Sequence, residues 1–184
     1  MRASLLLNPR APFALARQFR AEGLPLADIF TFASGLYFRG KITYARRFAR
    51  TGEIIRVITT NAGLLDPVTH FTPEGLRAFG AVDISEDDPR YHKPLRRDAV
   101  ALARRLAKDG SAILLGSIAT AKYRDVLLDA FGDRLMFPSD FIGRGDMSRG
   151  GLMLRAARTG TELPYIGVQG AIFKGKRAPR IADM

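Results

Sequence analysis

Short apolar runs alternate along this chain with segments of helical periodicity, and that alternation restricts the fold more than any other feature. The run Ala112–Ser117 reads AILLGS, with no polar residue between its apolar positions. Strands that are covered on both faces lack the polar alternation of half-exposed strands, so such runs favour a parallel sheet between helices. The pattern predicts an α/β fold, as a three-layer α/β/α sandwich with a mainly parallel sheet.

The positions of the expected strands and helices follow from the same two patterns. Strands are expected at Ser4–Asn8, Ile29–Ser34, Ile54–Thr60, Ala81–Ile84, Ala112–Ser117, Leu135–Pro138 and Tyr165–Val168. Helices are expected at Ala11–Ala21, Gly40–Arg50, Lys93–Lys108, Ala121–Ala130 and Met147–Arg158. In the Lys93–Lys108 helix, Pro94 suits the first turn and Gly110 follows the end.

The length and composition fit one domain with an extension. At 184 residues and 47% hydrophobic residues, the chain is long enough to bury one core of ordinary size. From Gly170 the sequence GAIFKGKRAPRIADM has no helical period. We expect a single α/β domain over 1–169 and a basic C-terminal extension over 170–184.

The chain is strongly basic, and arginine supplies most of the charge. The formal net charge is +11, and only six of the 29 cationic residues are lysines. The planar fork of arginine binds phosphate and carboxylate groups bidentately, so the excess favours an anionic partner. The alternative is that these arginines are ordinary solvent-exposed residues on the outer faces of helices and bind no partner.

The sequence lacks residues and segments that several kinds of site and cellular location require. Without any cysteine, the chain has no disulfides, thiolate metal sites or cysteine nucleophiles, which fits a reducing cytoplasm. No stretch approaches the roughly 18 apolar residues of a membrane span, so we expect a cytoplasmic protein without a membrane partner. The two histidines lack ligand spacing, so no metal site is expected, and the sequence names no cofactor.

The segment Phe141–Gly151 carries the strongest functional signal. A predicted strand ends just before it, and Asp146 is a suitable N-cap for the helix that follows. Free backbone N–H groups at such a helix start suit an anion. The expected ligand-binding residues here are Gly143, Arg144, Gly145, Ser148 and Arg149, and the candidate catalytic carboxylates are Asp140 and Asp146. The alternative is a tight loop in which Gly150 and Gly151 pack a helix against the sheet.

Three other predicted strand ends carry glycine with small polar or cationic residues. Their expected ligand-binding residues are Ser34, Gly35, Tyr37 and Lys41 after one strand, Asn61 after a second, and Ser117 and Lys122 after a third. The carboxyl ends of parallel strands share one edge of a sheet, where α/β proteins bind ligands. The four strand ends are therefore expected to form one crevice.

The order of these motifs resembles a family of small bacterial and phage α/β proteins related to the uracil-DNA-glycosylase-like domains of deazapurine-modification enzymes. The matching residues, within 29–154, are Leu36-Tyr37-Phe38, Tyr44-Ala45, Thr60–Leu65, Gly116 with Tyr123, and Pro138 with Gly143. The resemblance implies a three-layer fold and a nucleoside or base ligand. It carries no activity over, because Ala33-Ser34-Gly35 replaces a cysteine and lysine common there and the glycosylase-type histidine motif is missing.

These observations favour a nucleotide- or nucleoside-binding protein, with the anion held by Lys41, Arg144 and Arg149. As an enzyme it would act on an N-glycosidic or phosphate-bearing substrate, with Asp140 or Asp146 either holding the sugar or base or acting as general base. The alternative is a non-catalytic nucleic-acid-binding module that uses exposed arginines of the Lys93–Lys108 helix and the C-terminal extension. A protein-interaction domain with an inert crevice is a third hypothesis.

Overall fold

Helices dominate the structure, a computed structural model that describes residues 2–85, 87–119 and 121–171. The helices are α1 (Arg2–Leu7), α2 (Ala14–Glu22), α3 (Leu26–Ser34), α4 (Leu36–Phe48), α5 (Pro73–Gly80), α6 (Pro89–Arg105), α7 (Ala121–Phe131) and α8 (Asp146–Thr159). The strands are β1 (Leu24–Pro25), β2 (Val57–Ile58), β3 (Leu64–Leu65), β4 (His70–Phe71), β5 (Ala112–Ile113), β6 (Leu135–Pro138) and β7 (Tyr165–Gly167). Nearly all of the predicted C-terminal extension lies outside the described residues.

The predicted three-layer sandwich with a mainly parallel sheet is wrong. The protein is about 55% helical, and its strands of two to four residues form three small sheets. Two of them are antiparallel pairs, β1 with β4 and β2 with β3. The third has the order β5-β6-β7, with β5 parallel and β7 antiparallel to β6. One βαβ unit, β5-α7-β6, is therefore all that the described residues contain of the expected architecture.

Two of the predicted strands lie in helices. Ser4–Asn8 lies largely in α1 and Ile29–Ser34 lies in α3, where Leu6 and Ile29 are fully buried. Short apolar runs fit a buried helix as well as a buried strand, and here tertiary packing favours the helix. Of Ile54–Thr60 only Val57–Ile58 is a strand, and Ala81–Ile84 has no regular structure.

The five predicted helices are all present, and the strand Leu135–Pro138 has the predicted bounds. The start of the basic helix was predicted too late, because α6 begins at Pro89 with Asp88 as its N-cap. The Asp88 carboxylate accepts a hydrogen bond of 2.9 Å from the Arg90 backbone N–H. Pro94 consequently lies inside the helix, where it cannot donate the usual backbone hydrogen bond.

Two clusters of buried side chains hold these elements together. The larger joins α4, α6, α7 and α8 to the three-stranded sheet, and its fully buried members include Leu95, Phe137 and Met153. The smaller joins α1, α2, α3 and α5 around Phe19 and Leu26. Within the described ranges, no helix combines the length and apolar character that crossing a membrane requires.

Helices α4 and α8 cross with their backbones in contact. A Cβ atom built on Gly40 would lie 2.6 Å from the carbonyl oxygen of Gly150, and one built on Gly150 would lie 2.8 Å from that of Leu36. Only glycine leaves room for so close an approach at both positions. Gly150 therefore packs its helix against another helix, not against the sheet.

A chain of hydrogen bonds fixes the other end of α4 to β7. The Leu163 backbone N–H donates to the Tyr44 hydroxyl at 2.9 Å, and the Tyr44 and Tyr165 hydroxyls are 2.6 Å apart. Tyr165 in turn donates to the Glu162 carboxylate at 2.8 Å. Together with the glycine contact, these bonds determine how α4 lies against the rest of the larger core.

Replacing Gly150 by alanine should destabilise the fold, because the new methyl group meets backbone atoms of α4 that cannot rotate away. We expect a loss of about 1–3 kcal/mol in the free energy of unfolding, measured by urea denaturation. Gly151→Ala is the matched control, because a Cβ atom there meets nothing within 4 Å. That change should be neutral or stabilising by up to about 1 kcal/mol, since alanine favours helix. Equal effects of the two changes would contradict the close crossing.

Candidate functional site

The crossing of α4 and α8 brings together a cationic and aromatic cluster. Tyr37 and Lys41 are one turn apart on α4, and the Lys41 Nζ lies 3.9 Å from the centroid of the Tyr37 ring. Burial raises the pKa of Tyr37, and the Arg149 guanidinium of α8 lies close enough to its hydroxyl to offset part of that rise, although the two do not meet in hydrogen-bond geometry. Lys41 and Arg149 thus both lie near the Tyr37 side chain.

Arg149 is held in place by the loop that precedes α8. Its Nε donates to the Phe141 carbonyl oxygen at 3.2 Å, and its guanidinium lies 5.6 Å from the centroid of the Phe141 ring. It also reaches the Asp146 carboxylate at 3.5 Å, and only 11% of its side chain is exposed. Because its position is fixed by backbone and ring contacts, Arg149 is well placed to bind an anion.

Lys41 is the most strongly perturbed cation of the site. Burial lowers the pKa of Lys41 to about 8, the Asp146 carboxylate opposes that shift, and the positive charge of Arg149 is a smaller influence that lowers the pKa. Among the described residues, Lys41 has no hydrogen bond or ion pair. A protonated amine in such surroundings has no anion in direct contact with it, and a ligand can supply one.

Two more tyrosines extend the cluster toward α6 and α7. Burial, followed by the nearby Tyr37, raises the pKa of Tyr123 above its usual range, and Tyr91 acts in the same direction. Burial also raises the pKa of Tyr91 to about 12. The hydroxyls of Tyr37 and Tyr91 are buried, and neither has a hydrogen-bond partner within the described part of the chain.

We refer to Tyr37, Lys41, Tyr91, Tyr123, Asp146 and Arg149 as the Tyr37 cluster. A buried hydroxyl without a partner costs about 1–3 kcal/mol. Such groups are uncommon, and one explanation for them is a hydrogen bond that forms only when a ligand is bound. The cluster therefore presents two cations and two unpaired hydroxyls to one region of the protein.

The start of α8 lies at the same place. Gly145 is the N-cap and no side chain caps the helix, so Asp146 is the first helical residue and not the N-cap predicted from the sequence. Arg144 donates to the Asp140 carbonyl oxygen at 2.9 Å and to the Ser148 hydroxyl at 3.4 Å. First-turn N–H groups and the helix dipole add to the attraction for an anion.

The four predicted strand ends do not line one crevice at the edge of a parallel sheet, but two of them lie close together. The loops after β5 and β6 do follow parallel neighbours, which places Ser117 and the Gly143–Arg149 segment near one edge of the sheet. The Ser117 backbone N–H lies beside the Tyr123 oxygen. Gly143 makes the turn before α8 with a φ of 70°. Tyr37 and Lys41 lie on helix α4 and not at a strand end.

Other predicted residues have different surroundings. The Asn61 side chain donates to the Ala78 carbonyl oxygen at 2.9 Å, so it binds the end of α5 from the turn between β2 and β3. Ser34 is exposed at the end of α3, and Gly35 joins α3 to α4 with a φ of 60°. Lys122 is exposed in the first turn of α7.

Sequence reasoning missed Tyr91 as a member of the site. The predicted helix began only at Lys93, whereas Tyr91 lies in the first turn of α6 and is 1% exposed. The signal was Asp88-Pro89, an N-cap followed by a proline at the first helical position. No group of three acidic, histidine or cysteine residues that could hold a metal ion occurs in the described ranges.

Comparisons with known proteins do not identify a function for this site. The sequence matches no family model, and no curated protein or solved structure was found to be similar to the chain. The family resemblance drawn from the sequence motifs therefore stays a prediction, and the three-layer fold that it implied is wrong.

Lys41→Met should stabilise the protein at pH 7 by about 1–3 kcal/mol, measured as the free energy of urea unfolding. The pKa of Lys41 is lower in the folded chain, at about 8 against 10.5. Between pH 8 and pH 10.5 the unfolded chain therefore binds more protons than the folded chain. The cost of burying the Lys41 charge is complete below pH 8 and disappears as the pH rises to 10.5. The stability gained by Lys41→Met should therefore shrink over the same pH range. Lys122→Met, at an exposed position, is the control. A gain independent of pH would contradict the buried charge.

Proposed function

We propose that this protein binds a small phosphate-bearing ligand, of the nucleotide or nucleoside-phosphate class, at the Tyr37 cluster. The observation that carries the proposal is the convergence of Lys41 and Arg149 on Tyr37 at the start of α8. Among the described residues, Lys41 has no anionic partner within ion-pair distance, and Arg149 has one, the Asp146 carboxylate at 3.5 Å. A phosphate group would supply a direct anionic partner to Lys41 and a second one to Arg149.

The physical benefit of binding would be largest at Lys41. Its protonated form is disfavoured by burial, which the Asp146 carboxylate offsets only in part, so a further anion near the amine would raise the pKa of Lys41 and remove part of that cost. Uptake of a fraction of a proton on binding follows for any pH near or above 8. The buried hydroxyls of Tyr37 and Tyr91 would donate to the same ligand or to its sugar.

A carboxylate is available for acid–base chemistry at the same place. Asp146 lies at the start of α8, 3.5 Å from Arg149, and its side chain is 63% exposed. It acts on the ionisation of Tyr37, Lys41 and Tyr123, so it faces the cluster. We propose Asp146 as general base for an N-glycosidic or phosphate-bearing substrate, with Asp140, in the turn after β6, as the second carboxylate.

Removing the arginine tests the phosphate site. Nucleoside monophosphates, ribose 5-phosphate and inorganic phosphate should each raise the melting temperature of the protein, and nucleosides less so. Arg149→Ala should weaken binding about tenfold or more, because a charged hydrogen-bond donor is lost. Isothermal titration calorimetry gives the two dissociation constants. The control is Arg158→Ala, an exposed position on the same helix. Undiminished binding by Arg149→Ala would contradict the proposal.

The exposed face of α6 supports nucleic-acid binding as a second candidate function. Lys93, Arg96, Arg97 and Arg104 line a shallow depression of about 500 Å³ on this helix. Arg96 and Arg97 are two-thirds exposed, although each also contacts an aspartate. Such a row of cations fits the phosphate backbone of DNA or RNA, whose binding depends steeply on salt.

Charge reversal on this face tests that candidate. Arg96→Glu combined with Arg104→Glu should weaken binding to a fluorescent duplex about tenfold or more at low salt and lower the salt slope by about two. Arg46→Glu combined with Arg158→Glu changes the net charge equally at exposed positions elsewhere. Fluorescence anisotropy at several salt concentrations gives both quantities. Equal losses in the two double variants would leave only a general charge effect and reject α6 as the interface.

A further inference from the structure

A depression of about 360 Å³ lies between the C-terminal end of α4, the segment before β2 and the turn between β3 and β4. It shares no residue with the Tyr37 cluster or with the depression on α6. Its apolar lining residues are Ile54, Ile55, Pro67 and Val68, and its charged lining residues are Arg46, Glu53, Arg56 and Asp66. Neither of the proposed binding sites uses this surface.

Two β-branched side chains at this depression are exposed to solvent. Ile54 is 41% exposed and Val68 is 63% exposed. Single exposed apolar residues are common on protein surfaces, whereas contiguous ones with a polar rim mark interaction sites. A partner that covered both side chains would remove their apolar area from water, which favours the complex. The depression therefore has the apolar centre and polar rim of a protein interface.

Hydrogen bonds hold the two loops of this surface in one conformation. Arg56 donates to the Asp66 carboxylate at 3.0 Å and to the Ile55 carbonyl oxygen at 2.9 Å, so it joins both loops. The Asp66 carboxylate also accepts from the Val68 backbone N–H at 3.1 Å. Two backbone hydrogen bonds of 2.9 Å anchor the same turn to the start of α3. A surface that is ordered before binding loses little conformational entropy when a partner docks.

The charges around the apolar centre are balanced, unlike those of the protein as a whole. Two arginines and two carboxylates line this depression, whereas the chain carries a formal net charge of +11. The depression on α6 is lined by four cations and no carboxylate. Because like charges repel two copies of a protein, a strongly basic protein associates with itself most favourably where its local charge is balanced. A surface with equal numbers of both signs can complement itself across a two-fold axis.

We propose that the eight residues that line this depression, which we call the Val68 surface, bind a second copy of the same chain about a two-fold axis. Ile54 and Val68 of one copy pack against the same residues of the other. The arginines and carboxylates around them pair between the two copies. The balanced charge favours neither an acidic nor a basic partner. This proposal does not depend on phosphate binding at the Tyr37 cluster.

Sedimentation velocity of the full chain over a wide range of concentrations tests the dimer. We expect a reversible equilibrium between monomer and dimer. Ile54→Lys and Val68→Lys should each raise the dissociation constant about tenfold or more, because an ammonium group would be buried in the apolar centre of the interface. Ile84→Lys is the matched control and should leave the dissociation constant unchanged, because Ile84 is 45% exposed and lies outside the depression.

Two results would overturn the proposal. One is a monomer at every concentration, which would leave the Val68 surface to a different protein or to a small amphipathic ligand. The other is a dimer that the two lysine variants weaken no more than Ile84→Lys does, because such a dimer forms through another surface. A selective loss in Ile54→Lys and Val68→Lys supports the proposal.

Charge reversal tests whether the surface recognises itself. Arg46→Glu gives the Val68 surface an excess of negative charge and Glu53→Arg an excess of positive charge, so each variant alone should dimerise about tenfold more weakly or worse. A mixture of the two should form a heterodimer at least as tight as the unaltered dimer, because the two surfaces then carry opposite charges. The Glu53 carboxylate also accepts a hydrogen bond of 2.9 Å from the Arg50 backbone N–H, so the melting temperature of each variant is compared first. Folded variants that do not associate in the mixture would overturn the pairing of charges between copies.

Discussion

The backbone contact between α4 and α8 is the constraint on which the rest of this structure depends. Gly40 and Gly150 allow the two helices to approach more closely than any side chain would permit. That approach brings Arg149 to Tyr37 and Lys41 and encloses the lysine amine. A spacing larger by the width of a methyl group would let water reach the amine and separate the two cations from their shared tyrosine. The architecture of the core and the chemistry of the site therefore have one cause.

The Tyr37 cluster combines features that do not stabilise a folded protein by themselves. In the described chain it has a buried amine with no carboxylate within ion-pair distance, an arginine near it, and two hydroxyls without hydrogen-bond partners. Elsewhere in the same core, polar groups are well satisfied, as in the hydrogen bonds that join Tyr44 to Leu163 and Tyr165. The contrast is consistent with the proposal that the cluster binds a ligand, since one turn beyond Lys41 on the same helix the Tyr44 hydroxyl has two hydrogen-bond partners.

The sequence predicted what depends on local signals and missed what depends on distant contacts. Strand Leu135–Pro138, its glycine loop and the helix that follows were predicted because proline and glycine determine local backbone geometry. Residues Ile29–Ser34 were assigned to a strand because a short apolar run carries no information on its period. The proximity of Lys41 to Arg149 could not be predicted from local sequence patterns, because it depends on two glycines that make contact only in the folded chain.

The two sides of the site also lie far apart along the chain, and this separation has a kinetic consequence. The hydrogen bond between Tyr44 and Leu163 joins residues 119 positions apart, and the contact of Gly40 with Gly150 spans a similar distance. Closing loops of this length is entropically costly, so contacts of this kind form late and slow the folding of a domain. On a ribosome, α4 would wait for most of the chain to be synthesised before α8 could reach it. Ligand binding at the Tyr37 cluster would then be a property that the protein acquires only in the last stage of its folding.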